Sequence, residues 1–120
     1  MDDPPGVVIV IVAYQNVDVI VDLLDSIPVG VCGLQAHVVV VDNGSTDGTA
    51  ERVAARPDVR LVRSSNRGFA AGINLGVRSS PGAPAVLVLN ADTRLTSSSI
   101  APLLDALRRP GVVHRPTPAR

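Results

Sequence analysis

An uninterrupted apolar segment near the start of the chain restricts the possible folds more than any other feature. Residues Val7–Ala13 read VVIVIVA, with a β-branched side chain at every position except the last. A short segment of this kind is typical of a strand that is buried on both faces, as in the middle of a parallel sheet. It is also too short to cross a bilayer as a helix.

The rest of the chain alternates helical and strand patterns. An apolar stripe at helical spacing predicts a helix that Asn16 can cap and that ends before Pro28; its members are Ile20, Leu23, Leu24 and Ile27. Further strands are predicted at 37–41, 59–63 and 85–89, and helices at 49–55 (capped by Ser45 or Asp47), at 68–78, and along Ile100, Leu103, Leu104 and Leu107. This order predicts right-handed crossovers and a three-layer α/β domain, with helices on both faces of a mainly parallel sheet.

Charge and composition exclude several classes of protein. The eleven basic residues are all arginines scattered from Arg52 onward, and the formal net charge is zero. We therefore expect no nucleic-acid partner. The acidic start of the chain is unlike a signal peptide, and no transmembrane segment is visible, so we expect a cytoplasmic protein. The lone Cys32 is interpreted as a small apolar residue of the core.

Polar residues cluster directly after each predicted strand. Because ligands bind at the carboxyl ends of the strands in open parallel sheets, these clusters are the candidate site. They are Ala13-Tyr14-Gln15-Asn16, Asp42-Asn43-Gly44-Ser45-Thr46-Asp47-Gly48, Asn66-Arg67-Gly68 and Asn90-Ala91-Asp92. The chain has no glycine-rich dinucleotide fingerprint, no P-loop and no cysteine or histidine pair at zinc-ligand spacing.

Each cluster taken alone has a second interpretation. Asp42 can accept hydrogen bonds from the edge of a nucleobase, but by itself it is better explained as the first residue of a turn. The glycines at 68, 72 and 76 form a bare stripe that suits either close packing on the sheet or approach of a ligand. Asp92 suits equally a divalent cation on a diphosphate and the start of a turn.

Taken in order, the clusters resemble the motifs of family 2 glycosyltransferases of the GT-A fold, especially rhamnosyltransferase-like members. The resemblance covers about residues 7–107. It rests on the segments Val10–Tyr14, Val41–Thr49, Asn66–Asn74 and Leu89–Thr93. It implies a nucleoside-diphosphate-sugar donor, a hydroxyl acceptor and an inverting mechanism.

The same resemblance implies roles for individual residues. Ala13, Tyr14 and Asp42 would contact the base and ribose of the donor, a UDP or dTDP compound, and Asn66, Gly68 and Asn74 would shape the donor pocket. Asn90 and Asp92 stand where the family has its metal-binding Asp-x-Asp motif. Asp92 would then hold Mg²⁺ or Mn²⁺ on the diphosphate. Asn90 is a departure from the motif, because its neutral side chain is a weaker ligand.

A second departure concerns catalysis. In the family, the later half of the catalytic domain supplies the acceptor site and a carboxylate base, and no acid of this chain matches that base. We therefore expect a donor-binding part at residues 1–109, an irregular tail at 110–120, and an incomplete, truncated domain. The alternative is a nucleotide-binding or scaffold module without catalysis, either a remnant or half of a split protein.

Self-association, or pairing with a second polypeptide, is the last expectation from the sequence. A sheet that stops after its fourth strand would leave apolar surface and an open edge. The zero net charge provides little repulsion between copies.

Overall fold

The computed structural model describes residues 6–31, 35–80 and 85–92. Strands and helices alternate in these segments as the sequence predicts. The elements are β1 (Val7–Ala13), α1 (Ile20–Val31), β2 (Ala36–Asp42), α2 (Thr49–Ala54), β3 (Arg60–Arg63), α3 (Phe69–Arg78) and β4 (Val86–Asn90).

The four strands form one parallel sheet in the order β3-β2-β1-β4. β1 lies inside the sheet, with Ala13 opposite Asp42 of β2 and Val12 opposite Asn90 of β4. The chain first moves outward from β1 to β3 and then returns to the other side of β1. The order of the strands therefore reverses between β1 and β4, and the predicted α/β architecture is confirmed.

Helices cover opposite faces of this sheet. Ile9 and Ile11 of β1 belong to a core that includes the buried stripe of α1 and Val53 of α2. Val10 and Val12 point to the other face, where they lie beneath α3. Since successive strand residues point to opposite faces, the continuous run of β1 is buried on both sides, as its sequence predicts.

The glycines at 68, 72 and 76 do not share one role. Gly72 and Gly76 are buried, and a Cβ atom there would lie 2.9 Å from Val12 Cγ1 and 2.5 Å from Val10 Cγ1, respectively. Gly68 instead precedes α3 with a φ of 91°, and a Cβ atom there would meet nothing within 4 Å. Close packing on the sheet therefore explains the second and third glycines, and backbone conformation explains the first.

Two predicted helix ends are wrong. α1 continues through Pro28 to Val31, because the burial of Ile27 holds this turn against the core while Pro28 faces solvent. At α2 the N-cap is Gly48, in the left-handed conformation, rather than Ser45 or Asp47.

Asn16 begins α1 through its backbone rather than through a side-chain cap. Its carbonyl accepts from the Ile20 N–H at 2.9 Å, whereas its side chain accepts from the Tyr14 N–H. The structure therefore turns the Asn16 side chain away from the helix that it was predicted to cap.

Several predictions fall outside the described residues, including Cys32, the helix along Ile100, Leu103, Leu104 and Leu107, and the tail at 110–120. β3 and β4 form the two edges of the described sheet. Val77 and Val86 are exposed on α3 and β4. Self-association stays a prediction.

Candidate functional site

A cavity of about 400 Å³ opens at the carboxyl edge of the sheet, where the strand order reverses. Ligands of open parallel α/β sheets bind at such reversal points. The cavity is lined by Val12, Tyr14, Asn16, Asn43, Asn66, Phe69, Asn90, Ala91 and Asp92. Every strand of the described sheet contributes residues from its carboxyl end or from the segment that follows it.

The polar lining consists mainly of neutral amides. Four asparagines face the cavity together with Tyr14, whose side chain is 49% exposed, and Asp92 is the one charged residue in this lining. Amides can both donate and accept hydrogen bonds, whereas an ionised carboxylate only accepts. The cavity therefore suits a polar ligand that has both donors and acceptors. The negative charge of its lining lies at Asp92.

Four of the predicted site residues come together in this lining: Tyr14, Asn66, Asn90 and Asp92. Ala13 is buried, and its carbonyl accepts from the Asn43 N–H at 2.8 Å. Gly68 is placed beside the cavity, because its carbonyl accepts from Asn43 Nδ2 at 3.2 Å. Asn74 is exposed on α3 and does not line the cavity.

Asp42 begins a turn, as one of its two interpretations predicts, and one of its oxygens is left over. Oδ2 accepts from the Ser45 N–H at 3.0 Å and so begins a turn. Oδ1 is buried and has no hydrogen-bond partner among the described residues. Asp42 faces the α1 side of the sheet, because Val41 next to it lies beneath α3, and it is therefore outside the cavity lining. Its contact with a base stays a prediction.

Asn16 and Asn43 also line the cavity. In the sequence, both belong to the strand-end clusters, but neither is assigned a ligand contact there. Asn43 is 4% exposed, and its Oδ1 atom is buried without a hydrogen-bond partner in the described part of the chain. A buried polar atom without a partner is costly, which makes this oxygen a candidate acceptor beside the cavity. The one available signal was alternation: Asn43 points to the same side of β2 as Val41.

Asp47 lies outside the cavity lining and accepts three hydrogen bonds. Its pKa lies below its ordinary value, chiefly because the Thr49 hydroxyl donates to it and further because the Val17 and Thr49 N–H groups do. A lowered pKa stabilises the folded state at neutral pH. That contribution is lost only as the pH falls through the lowered pKa.

Fold and cavity together define an open parallel α/β protein with a polar cavity at its strand-order reversal. The description "Glycosyl transferase family 2" belongs to the family model that matches residues 8–115. The chain is therefore a member of glycosyltransferase family 2.

Similar proteins agree with this assignment. The chain is 39% identical over 85 residues to the succinoglycan biosynthesis protein ExoO of Rhizobium meliloti (strain 1021). The matched segment covers 68% of this chain and 24% of ExoO. The crystal structure of residues 1–349 of S. aureus TarS has a TM-score of 0.69 at 18% identity and covers 85% of this chain and 32% of that one. A second TarS structure has the same TM-score at 19% identity, with 19% of its chain covered.

These likenesses support different statements. The TarS structures share the fold, which confirms the GT-A-like architecture predicted from the motifs. The chain spans about a quarter of ExoO and a third or less of the TarS chains. None of the helices in the described segments is long and apolar enough to cross a bilayer. The rhamnosyltransferase-like branch stays a prediction.

Proposed function

We propose that this chain is the donor-binding part of a family 2 glycosyltransferase and that its cavity holds a nucleoside-diphosphate-sugar. The observation that carries the proposal is the cavity at the strand-order reversal, whose lining joins two exposed aromatic rings, four amides and one carboxylate. A nucleotide-sugar has matching parts: a flat base, many hydroxyl groups and a diphosphate.

The base and ribose are assigned to the segment after β1 and the end of β2. Tyr14 offers a half-exposed ring on which a base can stack. Asp42 and Asn43 each have one oxygen without a partner among the described residues, and these oxygens supply acceptors for the N–H groups of the base or the hydroxyls of the ribose. They lie on the two sides of β2, so a ligand that used both would lie across the rim of the sheet.

The diphosphate is assigned to the end of β4. Asp92 is an exposed carboxylate in the cavity lining, and the Asn90 amide lines the same wall. No set of three acidic, histidine or cysteine side chains suited to a metal occurs among the described residues. This is compatible with Mg²⁺ or Mn²⁺ shared with a ligand, because such ions are often held by one or two carboxylates plus phosphate oxygens and water. The bound ion would neutralise charge on the leaving diphosphate.

The reaction we propose for the full enzyme is an inverting transfer. The acceptor oxygen attacks the anomeric carbon, a carboxylate base takes the acceptor proton, and the nucleoside diphosphate leaves. Asp92 is the one carboxylate in the described cavity lining, and it is assigned to the ion, so this lining offers no second carboxylate as a base. The proposed role of this polypeptide is therefore to bind the donor.

Tyr14 provides a direct test of binding, because it is the one tyrosine of the sequence and there is no tryptophan. Protein carrying ring-¹³C tyrosine should give one set of ring signals, and UDP or dTDP with Mg²⁺ should shift it saturably, because stacking changes the shielding of the ring. The ¹³C-methyl signal of Met1 serves as an internal control for bulk effects. Ring signals that stay in place up to millimolar nucleotide would contradict the proposal.

Absence of turnover is a separate expected result. The purified 120-residue chain should release no nucleoside diphosphate from UDP- or dTDP-sugars in the presence of hydroxyl acceptors, because the described cavity lining holds no carboxylate besides Asp92 to act as a base. A coupled assay for released diphosphate measures this, with a complete family 2 enzyme as the positive control. Sugar transfer by homogeneous protein would refute a role limited to donor binding.

A further inference from the structure

Hydrogen bonds join the segment after β1 to the segment after β2, and together they form what we term the loop interlock. It consists of Gln15, Asn16 and Val17 on one side and Ser45, Thr46, Asp47 and Thr49 on the other. The partners are 30 to 33 residues apart in the chain, so these bonds fix the two segments relative to each other.

Asp47 holds the centre of the interlock. Its Oδ2 atom accepts from the Val17 N–H at 3.1 Å, and its Oδ1 atom accepts from both the N–H and the hydroxyl of Thr49. The fully buried Thr49 hydroxyl in turn accepts from the Asn16 N–H at 2.9 Å. One carboxylate, directly and through one hydroxyl, therefore fixes two consecutive N–H groups of the segment after β1.

Gln15 is held by the same interlock in an unusual conformation. Its φ is 55°, in the left-handed region that residues other than glycine, asparagine and aspartate rarely adopt. Ser45 Oγ accepts from its N–H at 2.9 Å, and its Oε1 accepts from the Thr46 N–H at 2.6 Å. Such a conformation persists where the surroundings determine it, and it often occurs at functional sites.

The residues on either side of Gln15 are Tyr14 and Asn16, and both line the cavity. The Tyr14 N–H also donates to Asn16 Oδ1 at 2.7 Å, which ties the two together. We propose that Asp47 is a positioning residue: through the interlock it holds Tyr14 and Asn16 in the binding arrangement before a ligand arrives. This inference rests on the proposed donor-binding function.

Preorganisation of this kind acts on affinity. For a ligand that needs one conformation, the apparent dissociation constant is the intrinsic one divided by the fraction of molecules in that conformation. If loss of the Asp47 carboxylate leaves about one tenth of the molecules in the binding arrangement, the dissociation constant for the nucleotide rises about tenfold. The mobility of Tyr14 in the free protein should rise at the same time.

Two variants and one matched control test the proposal. Asp47→Ala removes the centre of the interlock. Gln15→Ala removes three exposed side-chain bonds to Thr46 and leaves the core untouched. Asp58→Ala removes an exposed carboxylate that pairs with Arg56 and has no bond to the interlock. Circular dichroism and the melting temperature show which variants fold. If Asp47→Ala does not fold, the test of the interlock rests on Gln15→Ala.

Two readouts separate the inference from the function on which it rests. The fluorescence anisotropy of Tyr14 in ligand-free protein should fall in the interlock variants and not in Asp58→Ala. The dissociation constant for UDP with Mg²⁺ should rise about tenfold in Asp47→Ala. Unchanged anisotropy in folded variants, or lower anisotropy with unchanged UDP affinity, would overturn the proposal. If the wild type binds no UDP while the anisotropy falls in the variants, the proposed function fails and the positioning of Tyr14 by the interlock stands.

Discussion

Replacing Gly76 by alanine is expected to lower the free energy of unfolding by about 1–3 kcal/mol, the usual cost of overpacking a core. At an exposed helical position the same change raises stability by about 1 kcal/mol, because alanine is the better helix former. At Gly76 the new Cβ atom would lie 2.5 Å from Val10 Cγ1 and 3.1 Å from Val41 Cγ2. α3 would have to move away from the sheet. Chemical denaturation followed by circular dichroism measures the change.

A double-mutant cycle identifies the cause. Val10→Ala alone should destabilise the protein, because it opens a cavity in a fully buried part of the sheet. The double variant Val10→Ala/Gly76→Ala should lose less stability than the sum of the two single losses, by about 0.5–3 kcal/mol. The smaller residue at position 10 makes room for the new methyl group. Ala70→Gly, on the exposed side of α3, controls for helix propensity. A stabilising effect of Gly76→Ala would contradict the packing of α3 on β1.

Asp92→Asn is expected to weaken UDP binding in Mg²⁺ or Mn²⁺ by at least about tenfold and to abolish the effect of the metal on affinity. Changes in the outer shell of metal sites already reduce metal affinity by about 10–100-fold, so loss of a direct carboxylate ligand should cost at least as much. The substitution keeps the size of an exposed side chain, so stability should not change. Calorimetric titration of variant and wild type, each with metal and with EDTA, measures both effects.

Asp58→Asn is the matched control, because it makes the same exchange at an exposed carboxylate that pairs with Arg56. It should bind UDP as the wild type does, with the same response to metal. An Asp92→Asn variant that keeps a full metal response would contradict the role of Asp92 as a metal ligand. Asp92 would then be only a turn residue after β4.

The sheet was predictable because its central strand, β1, is a short continuous run of apolar, mainly β-branched residues. β1 requires burial on both faces, and the structure gives it the bounds that the sequence predicts. The end of α1 could not be predicted from Pro28. The prediction assumed that the free-energy cost of proline inside a helix would end it there. In the folded protein, burial of the apolar stripe keeps the helix intact beyond it.

The candidate site was predictable only as a set of strand ends. Tyr14, Asn66, Asn90 and Asp92 meet at the cavity because parallel strands end at the same edge. Which of these side chains point into the cavity could be seen only in the structure. Asn74 lies two residues from both Gly72 and Gly76, about 200° around the helix from the face that packs on the sheet, and so it is exposed.

The loop interlock shows why the remaining residues were missed. Asn16 and Asp47 were interpreted as helix caps, a role defined by neighbours in the sequence. Their segments are in fact tied by bonds between residues 30 or more apart, which no local pattern records. Asn43 belongs to a strand-end cluster but received no ligand role, because its turn-like surroundings explain its residue type without reference to the cavity beside it.

Donor binding that depends on a divalent ion is the central claim, and one measurement on the wild-type chain tests it most directly. Calorimetric titration with UDP or dTDP should give saturable binding in Mg²⁺ or Mn²⁺ and clearly weaker binding in EDTA, since the ion is shared by Asp92 and the diphosphate. Equal affinity in the two conditions would contradict the metal site at Asp92. No binding of either nucleotide in either condition would contradict the donor site itself.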